Sequence, residues 1–379
     1  MHLLYGGMGG LSSYLMEFVR SDQDRRFENS VLYFGIESPH DEYVKFCDDH
    51  GISHACVMKR RGLDLIGYSR VFGFLVRHRP DVVVVHSATV CPPVFLYGML
   101  GRCRTVFIEH TASTVKTRAD WYASRLAQRF ADHVVVFYPQ QLEELRARLG
   151  GAMRPHKITT IAKSVDVRHF RPRQARADVQ PSPDDVVIGM QSRLNASRDH
   201  ATLLRAFASL LREECGSRLQ LRIAGDGPTR PGHESLAREL GIENRVKFTG
   251  TLTRAALSDF LQGLDVYVHA SSGETICYAI MEAQAAGLPI VASDVNGINN
   301  AIQHGVHGFL FRAGDVEELV GTVKRLVNDR SLREEFGRIS RLLMEELARR
   351  TNVAEEFYRM LLGGVAAECR VEPAGAGLN

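Results

Sequence analysis

Short β-branched runs alternate with stretches of helical periodicity in both halves of the 379-residue chain, and this alternation constrains its fold more than any other feature. A strand that reaches its parallel neighbour through a helix must cross back over its own sheet, so the pattern implies parallel α/β architecture. In the first half, strands are expected near 2–5, 31–35, 53–58, 82–86, 104–109 and 133–137. Helices lie between them, including 64–78, where Leu65, Tyr68, Val71 and Leu75 share a face, and 118–131. In the second half, strands are expected at 186–190, 219–225, 245–250, 265–270 and 289–293, with helices at 200–214, 233–240, 253–263, 277–286 and 315–328. Two doubly wound units in tandem follow, with the linker near 172–184, where three prolines gather and periodicity stops. Beyond 330 the pattern is continuously helical, and from Gly363 an Ala/Gly/Pro tail is expected to fray.

A hydrophobic fraction of 45% with 24% charged residues excludes collagenous, low-complexity and largely disordered chains. Seven cysteines form no Cys-x-x-Cys pair, which supports neither a disulfide framework nor a zinc ribbon and fits a reducing compartment. The first residues have no basic and apolar regions of a signal peptide, and the longest apolar stretch, 87–100, is interrupted by Pro92 and Pro93. It falls short of the roughly 20 residues a membrane helix needs, and a cytoplasmic protein is expected. A net charge of +3 argues against a dedicated nucleic-acid binder. The charge is uneven: residues 1–180 carry 25 Lys and Arg against 18 Asp and Glu, and residues 181–379 carry 22 against 26. Lys59, Arg60, Arg61, Arg70, Arg77 and Arg79 form the densest basic stretch, suited to anionic lipid or a phosphate-bearing acceptor, and equally to a solvated face.

Several strand ends carry residues with chemical potential. Gly6-Gly7-Met8-Gly9-Gly10 follows a strand and opens a helix, which suits an anion or a tight turn. As a dinucleotide fingerprint it fails, because Ser12 replaces the third glycine and no acidic residue ends the next strand. Arg193 and Arg198, five apart across a strand-to-helix loop, can converge on a diphosphate or stand solvated. Gly225 ends one strand, and Thr249 with Gly250 the next; open α/β sheets bind ligands at such carboxyl ends. The densest segment is 271–292, where a small-residue loop bearing Glu274 leads into a helix bearing Glu282. Glu282 sits among Ile280, Met281, Ala283, Ala285 and Ala286, so a partly buried carboxylate in need of a hydrogen-bond donor is expected. The amides of Thr275, Ile276 and Cys277 open that helix and suit an anion. His110 and His86 stand at strand ends, whereas His304 and His307 flank glycines and make a poor metal pair.

Together these segments resemble family 4 glycosyltransferases. The run from Ser271 to Ala292 looks like the family's E-x7-E signature and the strand after it, and Gly9-Gly10, Arg193-Leu194, Gly225-x-Gly227-Pro228, Phe248-x-Gly250 and Gly305-x-x-Gly308 fall in the family's order. The resemblance implies a GT-B fold, with two Rossmann-like domains facing across a cleft. An acceptor-side domain is expected over 1–175, a nucleotide-sugar domain over 176–352, and a helix within 353–379 crossing back to the first domain. It implies that Arg193 and Arg198 hold the donor diphosphate and that Glu282 takes the ribose hydroxyls. Glu274 takes hydroxyls of the transferred sugar, and His110 stands beside that sugar. Amides of Thr275, Ile276 and Cys277 face phosphate or sugar, backbone near Thr249 and Gly250 faces the base, and Gly9, Gly10 and Gly225 allow close approach.

The implied reaction is retaining and needs no metal or other cofactor. Its partners are a nucleotide-sugar donor and a carbohydrate or lipid-linked acceptor in polysaccharide, glycolipid or other glycoconjugate synthesis, with a UDP-sugar favoured. An anionic membrane surface is a further candidate partner. The chain departs from the family pattern at Glu274-Thr275-Ile276-Cys277, where Glu-Gly-Phe-Gly is common, at Arg198, where lysine is usual, and at Lys163-Ser164, where a turn glycine is lost. An NDP-sugar 2-epimerase or hydrolase of the same fold and a non-catalytic nucleotide-sugar-binding module are the alternatives.

Overall fold

A computed structural model describes the chain except residues 8–9, 102, 112, 114–115, 174–184, 275–276, 300 and 364–379. The chain divides into two compact units, Met1–Ser164 with Thr351–Asn379, and Val165–Arg350.

The first unit holds the strands β1 (His2–Leu4), β2 (Ser30–Gly35), β3 (Ser53–Met58), β4 (Val82–Val85), β5 (Arg104–Ile108), β6 (His133–Val136) and β7 (Ile158–Thr160). They form one parallel sheet in the order β3-β2-β1-β4-β5-β6-β7. The second unit holds β8 (Val186–Gln191), β9 (Leu219–Ala224), β10 (Val246–Gly250), β11 (Val266–His269), β12 (Ile290–Ser293) and β13 (Gly308–Phe311). These are also parallel, in the order β10-β9-β8-β11-β12-β13. In both sheets the first strand of the unit sits inside and the order reverses beside it, the geometry that opens a crevice at the carboxyl ends of the strands.

Central strands are buried on both faces, so they read as unbroken apolar runs: Val82–Val85 is four valines, and all of Val266–His269 is buried. The edge strand β3 has no buried residue and alternates between exposed and half-buried positions. Two strands had no counterpart in the sequence reading, β7 and β13. Each is three or four residues long at the end of its sheet, too short to establish a period of its own. Helix ends follow local chemistry: Asp64, Asp199 and Asp315 accept from backbone amides three residues on.

The expected domain boundary at 175 moves to Ser164, because the segment after it is tied into the second unit. Phe170 is buried, Ser258 Oγ donates to the His169 carbonyl at 2.9 Å, and Arg341 donates to the carbonyls of Val167 and Phe170 at 2.9 and 2.8 Å. Arg254 pairs with Asp166 at 3.3 Å. The expected linker therefore falls almost wholly outside the described residues. The last helix, Val353–Leu361, belongs to the first unit: Phe357 meets Phe18 edge-on at 5.2 Å, the Ala354 amide donates to Ser21 Oγ at 3.0 Å, and Arg26 lies over Tyr358.

Candidate functional site

In the second unit the carboxyl ends of β8 to β11 carry most of the singled-out residues. Glu274 stands in the loop after β11, and its carboxylate receives Arg198 Nη2 at 2.5 Å and faces His269 Nε2 at 3.3 Å. Arg198 also donates through Nη1 to Ser271 Oγ at 3.1 Å and Ser197 Oγ at 3.2 Å. The two charged side chains are only 20% and 13% exposed, so their attraction is screened far less than a surface pair's. Arg198 Nε is buried with no hydrogen-bond partner among the described residues.

The second acid behaves as its surroundings required. Glu282 is buried on the helix Tyr278–Ala285, and the donor it meets is the side-chain amide of Gln191, at the end of β8. Gln191 Oε1 in turn is buried without a partner among the described residues. Tyr267 joins the two acids: its hydroxyl donates to the Gln191 carbonyl at 3.1 Å and lies 3.3 Å from His269 Nδ1. The result is a polar array running Glu282, Gln191, Tyr267, His269, Glu274, Arg198. Sequence reasoning missed Gln191, Tyr267 and His269; the only available signal was polar residues on otherwise apolar strands.

Cys277 Sγ lies 3.3 Å from His269 Nε2, and burial pushes the thiol up from its ordinary value. Burial also lowers the His269 imidazole, although the Glu274 contact pulls it the other way. His269, Glu274 and Cys277 place ligand atoms within 4.8 Å of one another, donor types that suit a soft divalent ion. The Glu274 oxygen nearest His269 is the one that Arg198 holds, so a cation there would have to displace a guanidinium.

The glycines are packing necessities. Gly225 has φ +124°, and a Cβ there would lie 1.9 Å from the Ser192 carbonyl oxygen; a Cβ at Gly227 would lie 2.2 Å from that of Leu194. The loop bearing Arg193 is thereby pressed onto 224–227, with Ser192 N donating to Ala224 O at 3.0 Å and Leu194 N to Asp226 O at 2.9 Å. Gly225 N donates to Gly250 O at 2.8 Å, and Thr249 Oγ1 lies 3.2 Å from the same oxygen, which joins the ends of β9 and β10. Arg193 is exposed and its guanidinium joins no ion pair or hydrogen bond among the described residues, so it does not share the Arg198 array.

In the first unit, Gly10 is the exposed first residue of the helix Gly10–Ser21. Gly9, Thr275 and Ile276 lie outside the described residues. His110, after β5, is half-buried with Nε2 3.0 Å from His86 Nδ1, and its ring is packed edge-on by Tyr14 at 5.3 Å. The neighbouring Glu109 is held by Lys116 Nζ at 2.5 Å; that ammonium also donates to Ser124 at 2.7 Å and lies over the Trp121 ring. Both members of the pair are essentially inaccessible, at 1% and 2% exposure.

Two family models match in tandem: "Glycosyltransferase Family 4" over residues 8–169 and "Glycosyl transferases group 1" over 173–342. Between them they cover both sheets, and the chain belongs to the family 4 type of glycosyltransferases, with a GT-B fold. It is 33% identical over 217 residues to a D-inositol 3-phosphate glycosyltransferase of Catenulispora acidiphila, a match covering 55% of this chain and 50% of that one. It is 27% identical over 314 residues to the sulfoquinovosyl transferase SQD2 of Arabidopsis thaliana, covering 76% and 58%. The chain thus spans only about half to three-fifths of these relatives. Among solved structures, Anabaena HepE in complex with UDP and glucose superposes with a TM-score of 0.78 at 19% identity, covering 95% of this chain and 98% of that one. Sucrose-phosphate synthase from Thermosynechococcus elongatus gives 0.80 at 16% identity, covering 96% and 98%.

Proposed function

We propose that this chain transfers a sugar from a nucleoside-diphosphate sugar to an acceptor hydroxyl with retention of anomeric configuration and without a metal. The observation that carries the reading is the array at the carboxyl ends of β8 and β11, in which Arg198 and two buried or half-buried acids converge. In this scheme Arg198, with Arg193 from the exposed loop, offsets the charge that grows on the diphosphate as the bond from the sugar's anomeric carbon to phosphate oxygen breaks. The acceptor oxygen bonds to that carbon on the same face, and its proton passes to the departing phosphate oxygen. Glu282 and the buried Gln191 oxygen take the ribose hydroxyls, and Glu274 takes hydroxyls of the transferred sugar. The guanidinium already seated on Glu274 supports the metal-free reading. A UDP-sugar is favoured because the structural neighbour HepE is recorded with UDP and glucose.

The acceptor is read as lipid-linked or membrane-presented, on a surface of the first unit. Ile36, Met58, Leu63, Leu65 and Ile66 are 44% to 77% exposed around the ends of β2 and β3, and Arg60, Arg61 and Arg70 stand exposed beside them. Lys59 N donates to Gly35 O at 2.8 Å, which brings the two strand ends together. Apolar side chains with a basic surround suit an anionic bilayer surface. Among the described residues no helix is long and apolar enough to cross a membrane.

A panel of UDP-, GDP- and ADP-sugars screened for thermal stabilisation and nucleotide release tests the donor reading, since a ligand selective for the native state raises stability by mass action. Stabilisation by one class and release of its nucleotide only with acceptor are expected; rapid turnover of donor alone would point to a hydrolase or epimerase. NMR of the product's anomeric proton tests retention, and activity unchanged by chelator tests metal independence. Co-sedimentation with anionic but not zwitterionic vesicles, lost in Leu63→Glu/Leu65→Glu, tests the surface.

A further inference from the structure

The loop that carries both arginines of the second unit, residues 192–198, is closed at its neck by one side chain. His200, the first residue of the helix His200–Leu210, is fully buried, and its two ring nitrogens reach the two ends of the loop. Nε2 lies 3.0 Å from Ser192 Oγ, just after β8, and Nδ1 lies 3.3 Å from the backbone carbonyl of Arg198. The His200 amide donates to that same carbonyl at 3.0 Å. A carbonyl can only accept, so Nδ1 carries the ring proton. Burial, helped by the neighbouring His233, holds the imidazole down to about 4, so near pH 7 it is neutral and has a single N–H. Nε2 is then a lone pair, and the Ser192 hydroxyl donates to it. One tautomer satisfies both contacts.

Backbone bonds anchor the loop on either side. Its first end is tied to β9, through the bonds of Ser192 N and Leu194 N to the carbonyls of Ala224 and Asp226. Its second end is tied to the loop after β11: Asp199 N donates to Ala270 O at 3.0 Å, and Ser272 N to Ser197 O at 3.1 Å. The His200 ring joins these two anchorages directly. A bond to the Arg198 carbonyl fixes the rotation of the peptide that follows Arg198, and so the direction in which its long side chain leaves the backbone. A cation on such a side chain acts on a reacting group only if it is held to within about 0.5 Å of the productive place.

We infer that Ser192 and His200 are positioning residues for Arg198, whose backbone they clasp so that its guanidinium stays seated on Glu274. The kinetic part rests on the reading of Arg198 as the cation that offsets charge on the departing diphosphate; the clasp and its tautomer do not. The Ser192 hydroxyl acts on the rate through the imidazole and then through the arginine.

The test uses the full chain labelled with 15N-histidine, with His200→Asn to assign the signals, and long-range 1H–15N correlation to read each ring nitrogen. The wild type is expected to show His200 protonated on Nδ1 alone. Kinetics follow nucleotide release from whichever of the UDP-, GDP- and ADP-sugars the wild type turns over fastest. Ser192→Ala removes the donor to Nε2 and is expected to move that nitrogen's signal and to lower kcat several-fold, with donor KM within twofold and the unfolding midpoint unchanged. Ser192→Thr, which keeps the hydroxyl, is expected to restore signal and rate. In an Arg198→Ala background, Ser192→Ala is expected to cost nothing further, because the clasp works through that cation. A proton on His200 Nε2 in the wild type, a signal and kcat unmoved by Ser192→Ala, or an equal loss in the Arg198→Ala background overturns the inference. The Nδ1–H tautomer with a Ser192-sensitive Nε2, found in a chain that releases nucleotide from none of these sugars, would sustain the clasp and overturn the functional reading.

Discussion

His86 follows β4 and His269 ends β11, and these two strands hold equivalent places, each beside the first strand of its unit where the order reverses. Their surroundings differ sharply. His269 faces a carboxylate that is itself paired with a guanidinium, whereas His86 is held between the neutral rings of His2 and His110. One topology thus carries charge to the ends of its central strands in the second unit and neutral hydrogen-bond order in the first. The second arrangement fits a ligand whose charge changes during reaction; the first fits hydroxyl groups, which need direction more than charge. The first unit does bury one ion pair, Lys116 with Glu109, in a setting where trimming one partner strands the other.

The largest effect tests whether that pair is structural. Lys116→Met is expected to lower stability by about 3–5 kcal/mol in denaturant unfolding. Combining it with Glu109→Gln should recover much of the loss, and donor affinity of the folded fraction should hold. Next, Arg198→Ala should cut transfer by about 10²–10³-fold with little change in unfolding midpoint, and Arg198→Lys should recover part of the rate. Equal loss of stability in both variants would erase the contrast between the units. Gly225→Ala, with φ +124° and the Ser192 carbonyl in the way, should destabilise the second unit by about 1–3 kcal/mol and weaken donor binding through the Arg193 loop.

The smallest effect concerns Glu356, which burial raises from 4.5 to about 7. Its raised value means that the folded state binds the proton more tightly than the unfolded state. Stability from this group is full below about 4.5 and is lost as pH rises through about 7. Glu356→Gln should therefore raise Tm by roughly 2–4 °C at pH 8 and bring no gain at pH 4, in thermal melts across that range.

Much of this architecture was legible in the sequence, because buried parallel strands are apolar throughout and their ends can be seen. The strands found at 186–191, 219–224 and 290–293 differ from expectation by only a residue or so. What could not be read were features fixed by neighbours distant along the chain. His2 gave no signal of its own, since only the β1–β4 and β4–β5 pairings bring it into line with His86 and His110. Gln191 was visible only as the start of a loop, and its place against Glu282 depends on the helix Tyr278–Ala285 packing on β11, the neighbour of β8 in the sheet. Conversely, the two arginines that looked equivalent by spacing are not: Arg198 is locked by Glu274 and Ser271, and Arg193 is left to solvent.

The helix Val353–Leu361 closes over Phe18 of the first unit although the whole second unit separates them along the chain. During synthesis the ribosome must therefore release the whole second unit before the apolar flank of the helix Gly10–Ser21 gains its cover. The amino-terminal portion waits, partly unshielded, while its successor is already able to collapse. A ribosome-bound intermediate arrested before residue 353 should accordingly expose Phe18 and Phe27 to a chaperone.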